Sequence, residues 1–318
     1  MDRLDYWKNF KLLEELDISG AFIYNGLLAL HELETFHAKH DTFEILYNLS
    51  VGLERLCKIA VVLIEHDSEM DQDEFEKTLI THNIEGLIKR IKNKHTIKLQ
   101  SSHLELIQIL GEFYKKHRYG RFTLDVAMSQ AAEKERFLLY IEKELDIEIT
   151  QESIFNASQN TIRIKRFVGR KIGGVASAVF EVIQKEARWL NLYTDEMRCE
   201  SKAFKVFMAK EYDFNKEEAL WRELLVFFVN SKDDYRYSSI IKSIEPLDFD
   251  PALAYEYLQC LIRSRKSLVV MSEAEHHYSE LENPGERLAQ VSLIGDPCVY
   301  DNLDAGEDED EDEDEDDF

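Results

Sequence analysis

The stretch LYNLSVGLERLCKIAVVLIEH, residues 46–66, has the strongest helical pattern of apolar side chains in the chain. Its apolar positions recur every three or four residues, which is the spacing of a buried helix face. They are Leu46, Leu49, Leu53, Leu56, Ala60 and Leu63. We therefore predict a core helix over residues 43–65 and expect the neighbouring helices to pack around it.

The rest of the chain also favours helices. All four prolines follow residue 245, and β-type alternation is weak throughout. No apolar run approaches the ~18–20 residues that a membrane span needs. The sequence therefore predicts an all-α protein without a membrane partner.

Three regions are predicted along the chain: a helical bundle over residues 1–147, a second helical domain over 148–300 and a disordered acidic tail over 301–318. The boundary is placed in residues 146–151. Gly20 is expected to end the first helix, and Gly169, Gly173 and Gly174 to interrupt a helix over 153–185. Ser102 followed by Glu105 predicts a capping box at a helix start.

The four cysteines lie far apart without a CxxC pair, and the N-terminal segment MDRLDYWKNF has no apolar signal region. This pattern indicates a reduced, cytoplasmic protein without a disulfide framework. His31, His37 and His40 lack the spacing of a common metal motif. We predict neither a metal site nor a cofactor.

The net charge of −24 is unevenly distributed, since residues 307–317 are an unbroken acidic run. In contrast, residues 86–121 contain only two acids, Glu105 and Glu112, and nine basic side chains. These are Lys89, Arg90, Lys92, Lys94, Lys98, Lys115, Lys116, Arg118 and Arg121. Such a basic segment in an acidic protein indicates a site for an anion.

Two arrangements of the basic residues suggest contact with phosphates. If Lys89–Lys98 and Lys115–Arg121 flanked one interhelical loop, they would form a single basic face that binds RNA, DNA or a nucleotide. A solvated face, or a dock for the acidic tail, is the alternative. The segment TIRIKRFVGRKIGG adds Arg163, Arg166 and Arg170 on one helix face, with Lys171 beside glycines that let backbone approach a phosphate.

Three motifs resemble the HEPN family, the higher-eukaryote and prokaryote nucleotide-binding domains. They are GLERLCK at residues 52–58, THN with a following leucine at 81–87, and Arg118-Tyr119. The resemblance covers about a third of the chain. It implies a helical bundle that often dimerises and acts on nucleotides or RNA, often in prokaryotic defence. Many members of the family are metal-independent ribonucleases with an Arg-x4–6-His motif.

The chain departs from that catalytic motif, because no histidine follows Arg118 at the required spacing. The Arg-x4-His pair present is Arg90 with His95, which gives the alternative hypothesis of an Arg/His ribonuclease. On a continuous helix these two side chains would point about 140° apart. Arg118, Tyr119 and Arg121 could instead form a phosphate and base platform, or Arg118 could pair with a core acid such as Glu54.

The acidic tail ends in Asp316, Asp317 and Phe318, which is similar in kind to the acidic tip of bacterial single-stranded-DNA-binding proteins. This resemblance implies a docking peptide for a protein partner. A solubilising tail, or one that competes for the basic face, is also consistent with the composition. The leading prediction is a prokaryotic nucleic-acid- or nucleotide-binding protein, and a pure protein-interaction module is the remaining alternative.

Overall fold

A computed structural model of the chain describes residues 3–37, 39–117, 132–149, 159–192, 201–230, 236–263 and 267–296. Across these ranges the regular structure is helical, and pairing between extended segments is limited to one bridge from Thr35 to Gln159. The all-α prediction is confirmed. In the same ranges no helix combines the length and apolar character needed to cross a bilayer.

Two compact units make up the chain, and the first is Met1–Phe214. Its described α-helices are α1 (Arg3–Tyr6), α2 (Leu12–Glu32), α3 (Lys39–Glu65), α4 (Gln72–Leu79), α5 (Ile84–Lys94), α6 (Ser101–Glu112), α7 (Ala132–Leu145), α8 (Ile162–Trp189) and α9 (Lys202–Phe207). Two π-helical turns, Trp7–Lys11 and Phe113–His117, continue α1 into α2 and extend α6.

Helix α3 lies at the centre of this unit. Its side chains are buried around the whole circumference from Ile59 to Leu63, because every residue there is aliphatic. A helix that is apolar on all sides requires neighbours on all sides. Helices α2, α5, α6, α7 and α8 supply them.

The pairing of α2 with α3 depends on glycines that leave no room for a side chain. A Cβ at Gly52 would lie 2.6 Å from a side-chain carbon of Ile23 and 2.9 Å from its backbone nitrogen. At the same crossing the Ser19 hydroxyl donates a hydrogen bond of 2.8 Å to the Gly52 carbonyl. The two backbones therefore approach more closely than larger residues would allow.

Gly20 does not end a helix, contrary to the sequence prediction, and α2 continues through it to Glu32. A Cβ at Gly20 would lie 2.4 Å from the backbone of Ala203 in α9. The glycine therefore serves close packing rather than helix termination. Gly169 and Gly173 likewise leave α8 unbroken and accommodate Tyr212.

Helix α8 belongs to the first unit, so the chain divides at residues 214/215 and not in the predicted segment 146–151. The physical reason is the apolar face of α8, where Ile164, Val168, Val175 and Val179 are buried against the core that contains α3. A helix with this much apolar surface contributes to that core and cannot open a separate domain.

The second unit is Asn215–Phe318. Its described helices are α10 (Asn215–Asn230), α11 (Arg236–Ser243), α12 (Ala254–Arg263), α13 (Leu268–Glu280) and α14 (Pro284–Ser292), with a 3-10 turn at Pro251–Leu253. Asp250 caps this turn, since its carboxylate accepts a hydrogen bond of 2.9 Å from the Ala252 amide. The tail, with Asp316, Asp317 and Phe318, lies outside the described residues.

We expect Gly52→Ala to lower the free energy of unfolding by about 2 kcal/mol, because the added methyl must push apart the α2 and α3 backbones. Urea denaturation followed by circular dichroism measures the change.

Gly111→Ala is the matched control in α6. A Cβ there would meet nothing closer than a Glu85 oxygen at 3.8 Å. This substitution should stabilise the protein by about 0.5–1 kcal/mol, since alanine loses less backbone entropy on folding. Equal effects of the two substitutions would contradict the close α2–α3 crossing.

Candidate nucleic-acid interface

Helix α8 presents basic side chains on the face opposite its core contacts. The helix begins after Thr161, whose hydroxyl accepts a hydrogen bond from the Ile164 amide. Arg163, Arg166 and Arg170 follow at helical spacing and are all exposed. The structure therefore places these three predicted residues on one face of one helix.

Within the part of the chain that the structure describes, two of these arginines bond to backbone carbonyls and not to acids. The Arg163 guanidinium donates to the carbonyl of Leu145, the last residue of α7, over 2.8 Å. The Arg170 Nε donates to the Arg166 carbonyl over 3.3 Å. A cation at a helix C-terminus is favoured by the helix dipole. Each guanidinium has five donors, so further donors remain for a ligand.

The Lys171 side chain extends from α8 to the beginning of α6. Its ammonium donates to the Ser102 hydroxyl over 2.7 Å and to the Gln100 side-chain oxygen over 3.1 Å. Neither partner is an acid, and within the described residues no carboxylate forms an ion pair with Lys171. The N-terminus of α6 carries partial positive charge as well. The positive potential is therefore locally concentrated.

His103 closes this helix start in place of the predicted Ser102/Glu105 capping box. Its Nδ1 accepts a hydrogen bond of 3.0 Å from the Gln100 amide, and the Gln100 side chain accepts one from the His103 amide in return. Burial and, secondarily, the Lys171 charge lower the pKa of His103. The imidazole is therefore neutral near pH 7 and adds no positive charge to the site.

Gly174 allows α8 to approach this helix start. A Cβ at Gly174 would lie 2.8 Å from the His103 Nε2. Farther along α8, Glu186 pairs with the His95 Nε2 over 2.7 Å. The extended segment 95–100 therefore runs along α8 between Lys171 and Glu186, a helical distance of about 22 Å. Lys98, within this segment, is exposed.

We call the resulting set of side chains the basic band. Its members are Lys89, Lys92, Lys94, Lys98, Arg163, Arg166, Arg170 and Lys171. Across the described ranges, none of the four lysines from α5 and the following segment forms an ion pair with an acid. The contact of Lys171 with Gln100 and Ser102 joins two basic stretches that are about 70 residues apart in the sequence.

Lys115 is not part of the basic band, contrary to the expected single face with Lys89–Lys98. Helices α5 and α6 run antiparallel, since Gly111 faces Glu85 and the Tyr114 ring lies 4.7 Å from the His82 ring. The start of α5 is thus near the end of α6, and Lys115 lies at the opposite end of the pair from Lys98. The remaining members of the expected cluster, Arg118, Tyr119 and Arg121, lie outside the described residues.

The proposed catalytic pair, Arg90 and His95, has separate partners. The Arg90 guanidinium donates to both Glu65 carboxylate oxygens, with a shortest distance of 2.5 Å, and to the Thr78 carbonyl at 3.2 Å. His95 pairs instead with Glu186 on α8. The structure therefore uses Arg90 to connect α5 with α3 and α4, and it does not bring the two side chains to a common acceptor.

The first two family-like motifs meet around a buried acid. The Glu54 side chain is 6% exposed and pairs with Lys58 at 2.5 Å and with His82 Nδ1 at 3.2 Å. The sequence had suggested Arg118 as a partner for this carboxylate. Among the described residues, its partners are a lysine one helical turn later and a histidine from the α4–α5 connection, and Arg118 lies outside those residues.

Neither metal nor thiol chemistry gains support from the described residues. Nowhere in them do three or more His, Cys, Asp or Glu side chains converge as ligands for a metal ion. Burial raises the pKa of the Cys57 thiol, with a smaller contribution from Glu54. Cys57 therefore stays protonated at neutral pH and is a core residue rather than a nucleophile.

Sequence reasoning missed Gln100 and Ser102 as the residues that hold Lys171, and His103 as the cap of this helix start. The sequence predicted a helix start at this position. It did not show that this helix start contacts a helix some 70 residues later. Comparison of the chain with protein-family models, curated proteins and solved structures finds no match. The HEPN resemblance thus remains a prediction from the three motifs.

If Arg90 is a structural residue, Arg90→Met and Glu65→Gln should be energetically coupled. We expect a coupling energy of about 1 kcal/mol in a double-mutant cycle, because each substitution removes the same partly buried ion pair. Urea denaturation of the two single variants and the double variant measures it. Strictly additive effects would contradict the assigned pairing.

Proposed function

We propose that the basic band binds the phosphate backbone of a nucleic acid. The observation that carries the proposal is the Lys171 contact with Gln100 and Ser102, since it holds the basic face of α8 against the start of α6, directly after the segment that contains Lys98. Exposed lysines and arginines without acidic partners attract phosphates and release bound counterions. The α6 N-terminus adds backbone amides beside the same ammonium.

The length of the basic band favours a polymer over a single nucleotide. Arg163 and Lys171 are eight residues apart on α8, and Glu186, beside His95, is fifteen residues farther. At 1.5 Å per residue these steps span about 35 Å. This is close to one turn of B-DNA, about 34 Å. Contacts spread over that length would neutralise several phosphates and would bind without reading sequence.

The HEPN resemblance is consistent with this proposal but does not choose the nucleic acid. The pairing of Glu54 with Lys58 and His82 gives the first two motifs a shared structural role in the bundle. Nucleic-acid binding in a prokaryotic, cytoplasmic defence context, and a homodimer, follow from the resemblance alone. The separate partners of Arg90 and His95 favour binding over cleavage by this pair.

Arg166→Gln with Arg170→Gln should weaken binding at least tenfold at 50 mM salt. The slope of log Kd against log salt concentration should fall by about 1.5, since two phosphate contacts are lost. Fluorescence anisotropy with 30-nucleotide single-stranded RNA, single-stranded DNA and duplex DNA measures both quantities.

The matched control is Lys77→Gln with Lys210→Gln, which removes the same charge from exposed positions outside the basic band. We expect it to change Kd less than twofold. If both double variants weakened binding equally, the effect would come from net charge alone. If the unchanged protein bound none of the three probes, the proposal would be wrong.

Removal of residues 307–318 tests whether the acidic tail competes with nucleic acid. We expect higher affinity at low salt and little change at high salt, because competition between charges is screened by ions. Phe318→Ala keeps the charge and removes the terminal ring, so it separates electrostatic competition from docking of the aromatic residue. Unchanged affinity after truncation would exclude tail regulation while leaving the basic band in place.

A further inference from the structure

The outward face of α8 stays basic beyond the basic band, as far as the end of the helix. Arg188 follows Arg170 by about five helical turns, so the two side chains share one face of α8. Lys185 lies about one turn before Arg188, and both are exposed. In the part of the chain that the structure describes, neither of them forms an ion pair. Glu181, an acid on the same face, pairs with Lys210 at 3.7 Å.

A tryptophan lies at the end of this basic face. Trp189 is the last residue of α8, and its side chain is 77% exposed. The next apolar residues along the chain, Leu190 and Leu192, pack against the core instead. Tryptophan is highly buried on average in folded proteins, since its indole has a large apolar surface. An indole that stays in water beside two cations therefore has ring surface free for a ligand.

The backbone at the end of α8 holds Trp189 within a capped helical turn. The Leu192 amide donates to the Ala187 carbonyl over 2.8 Å. The Asn191 amide donates to the Arg188 carbonyl over 3.2 Å. These two bonds form a Schellman cap, and Asn191 has the positive φ of 55° that the cap requires. Trp189 is therefore anchored on a regular helix and not on a frayed end.

An exposed indole beside cations has the chemistry of a base-stacking surface. Side chains four residues apart are neighbours on a helix, so Lys185 lies on the same side of α8 as Trp189. In proteins that bind single strands, cations follow the phosphate backbone while aromatic rings stack on the bases. A duplex covers the faces of its bases by stacking them on each other. A ring on the surface of a helix therefore stacks on a base only where that base is unpaired.

We propose that Trp189 stacks on an unpaired base while Lys185 and Arg188 contact the neighbouring phosphates. The protein then prefers single-stranded nucleic acid to a duplex. This inference rests on the proposed function and names the substrate class of the same surface, which it extends about 28 Å along α8 beyond Arg170. RNA and DNA strands share this chemistry, and their relative Kd values separate the two.

Trp189→Ala in the full-length chain should weaken binding of unstructured 30-nucleotide single strands by about fivefold or more, because a stacked base loses its ring. Binding of a 30-base-pair duplex should change less than about twofold, because its base faces are covered. The slope of log Kd against log salt concentration should stay the same, since stacking releases no counterions. Fluorescence anisotropy with RNA and with DNA measures these quantities.

Matched variants separate the ring from its surroundings. Trp189→Phe keeps an aromatic ring and should retain single-strand affinity within about twofold. Trp221→Ala removes an indole of α10 that is 55% exposed, and it should leave every affinity unchanged. Lys185→Gln with Arg188→Gln should weaken single-strand binding and also lower the salt slope, because phosphate contacts are lost.

Fluorescence gives a second measurement of the stacking. Trp7→Phe with Trp221→Phe leaves Trp189 as the only tryptophan in the chain. Single strands should quench its emission saturably, with the same Kd as in anisotropy. The duplex should leave the emission nearly unchanged, because it offers no free base face to the indole.

The outcomes distinguish this inference from the proposed function. Single-strand binding that Trp189→Ala leaves unchanged would overturn the inference and leave the proposed function standing. Equal losses for single strands and duplex in a variant that is folded by circular dichroism would also overturn it, because the ring would not then act on an unpaired base. If the unchanged protein bound no probe, the proposed function would fail and this inference with it.

Discussion

The burial of the aliphatic part of α3, Ile59–Leu63, on all sides is the constraint on which the first unit depends. The side chains from Ile59 to Leu63 are all aliphatic and buried, and they cover more than one helical turn, so no face of this part of the helix remains in contact with water. Helix α2 crosses it at glycines, and α5, α6, α7 and α8 cover the other sides. The arrangement of the whole unit follows from covering this one helix.

Helix α8 shows how the same constraint produces a charged surface. Because its aliphatic face is needed against the core, its arginines can only lie on the outside. Gly174 brings α8 against the start of α6, and there Lys171 bonds to neutral groups rather than to an acid. The packing that closes the core thus leaves a line of cations with unused donors.

The sequence by itself determined the all-α class, the core helix α3 and the charge of each segment, because these depend on local spacing and composition. The tertiary structure alone decided which basic segments meet. Lys98 and Lys171 are joined through Gln100 and Ser102, whereas Lys115 lies at the far end of the α5–α6 pair.

The glycines show the physical reason for this difference. Gly20, Gly173 and Gly174 read as helix breaks in the sequence, because glycine has low helix propensity. In the structure, a neighbouring helix or an aromatic ring packs against each of these glycines and occupies the space that a side chain would need. Local patterns fix which residues are apolar or charged, but contacts between distant segments depend on how the core is filled.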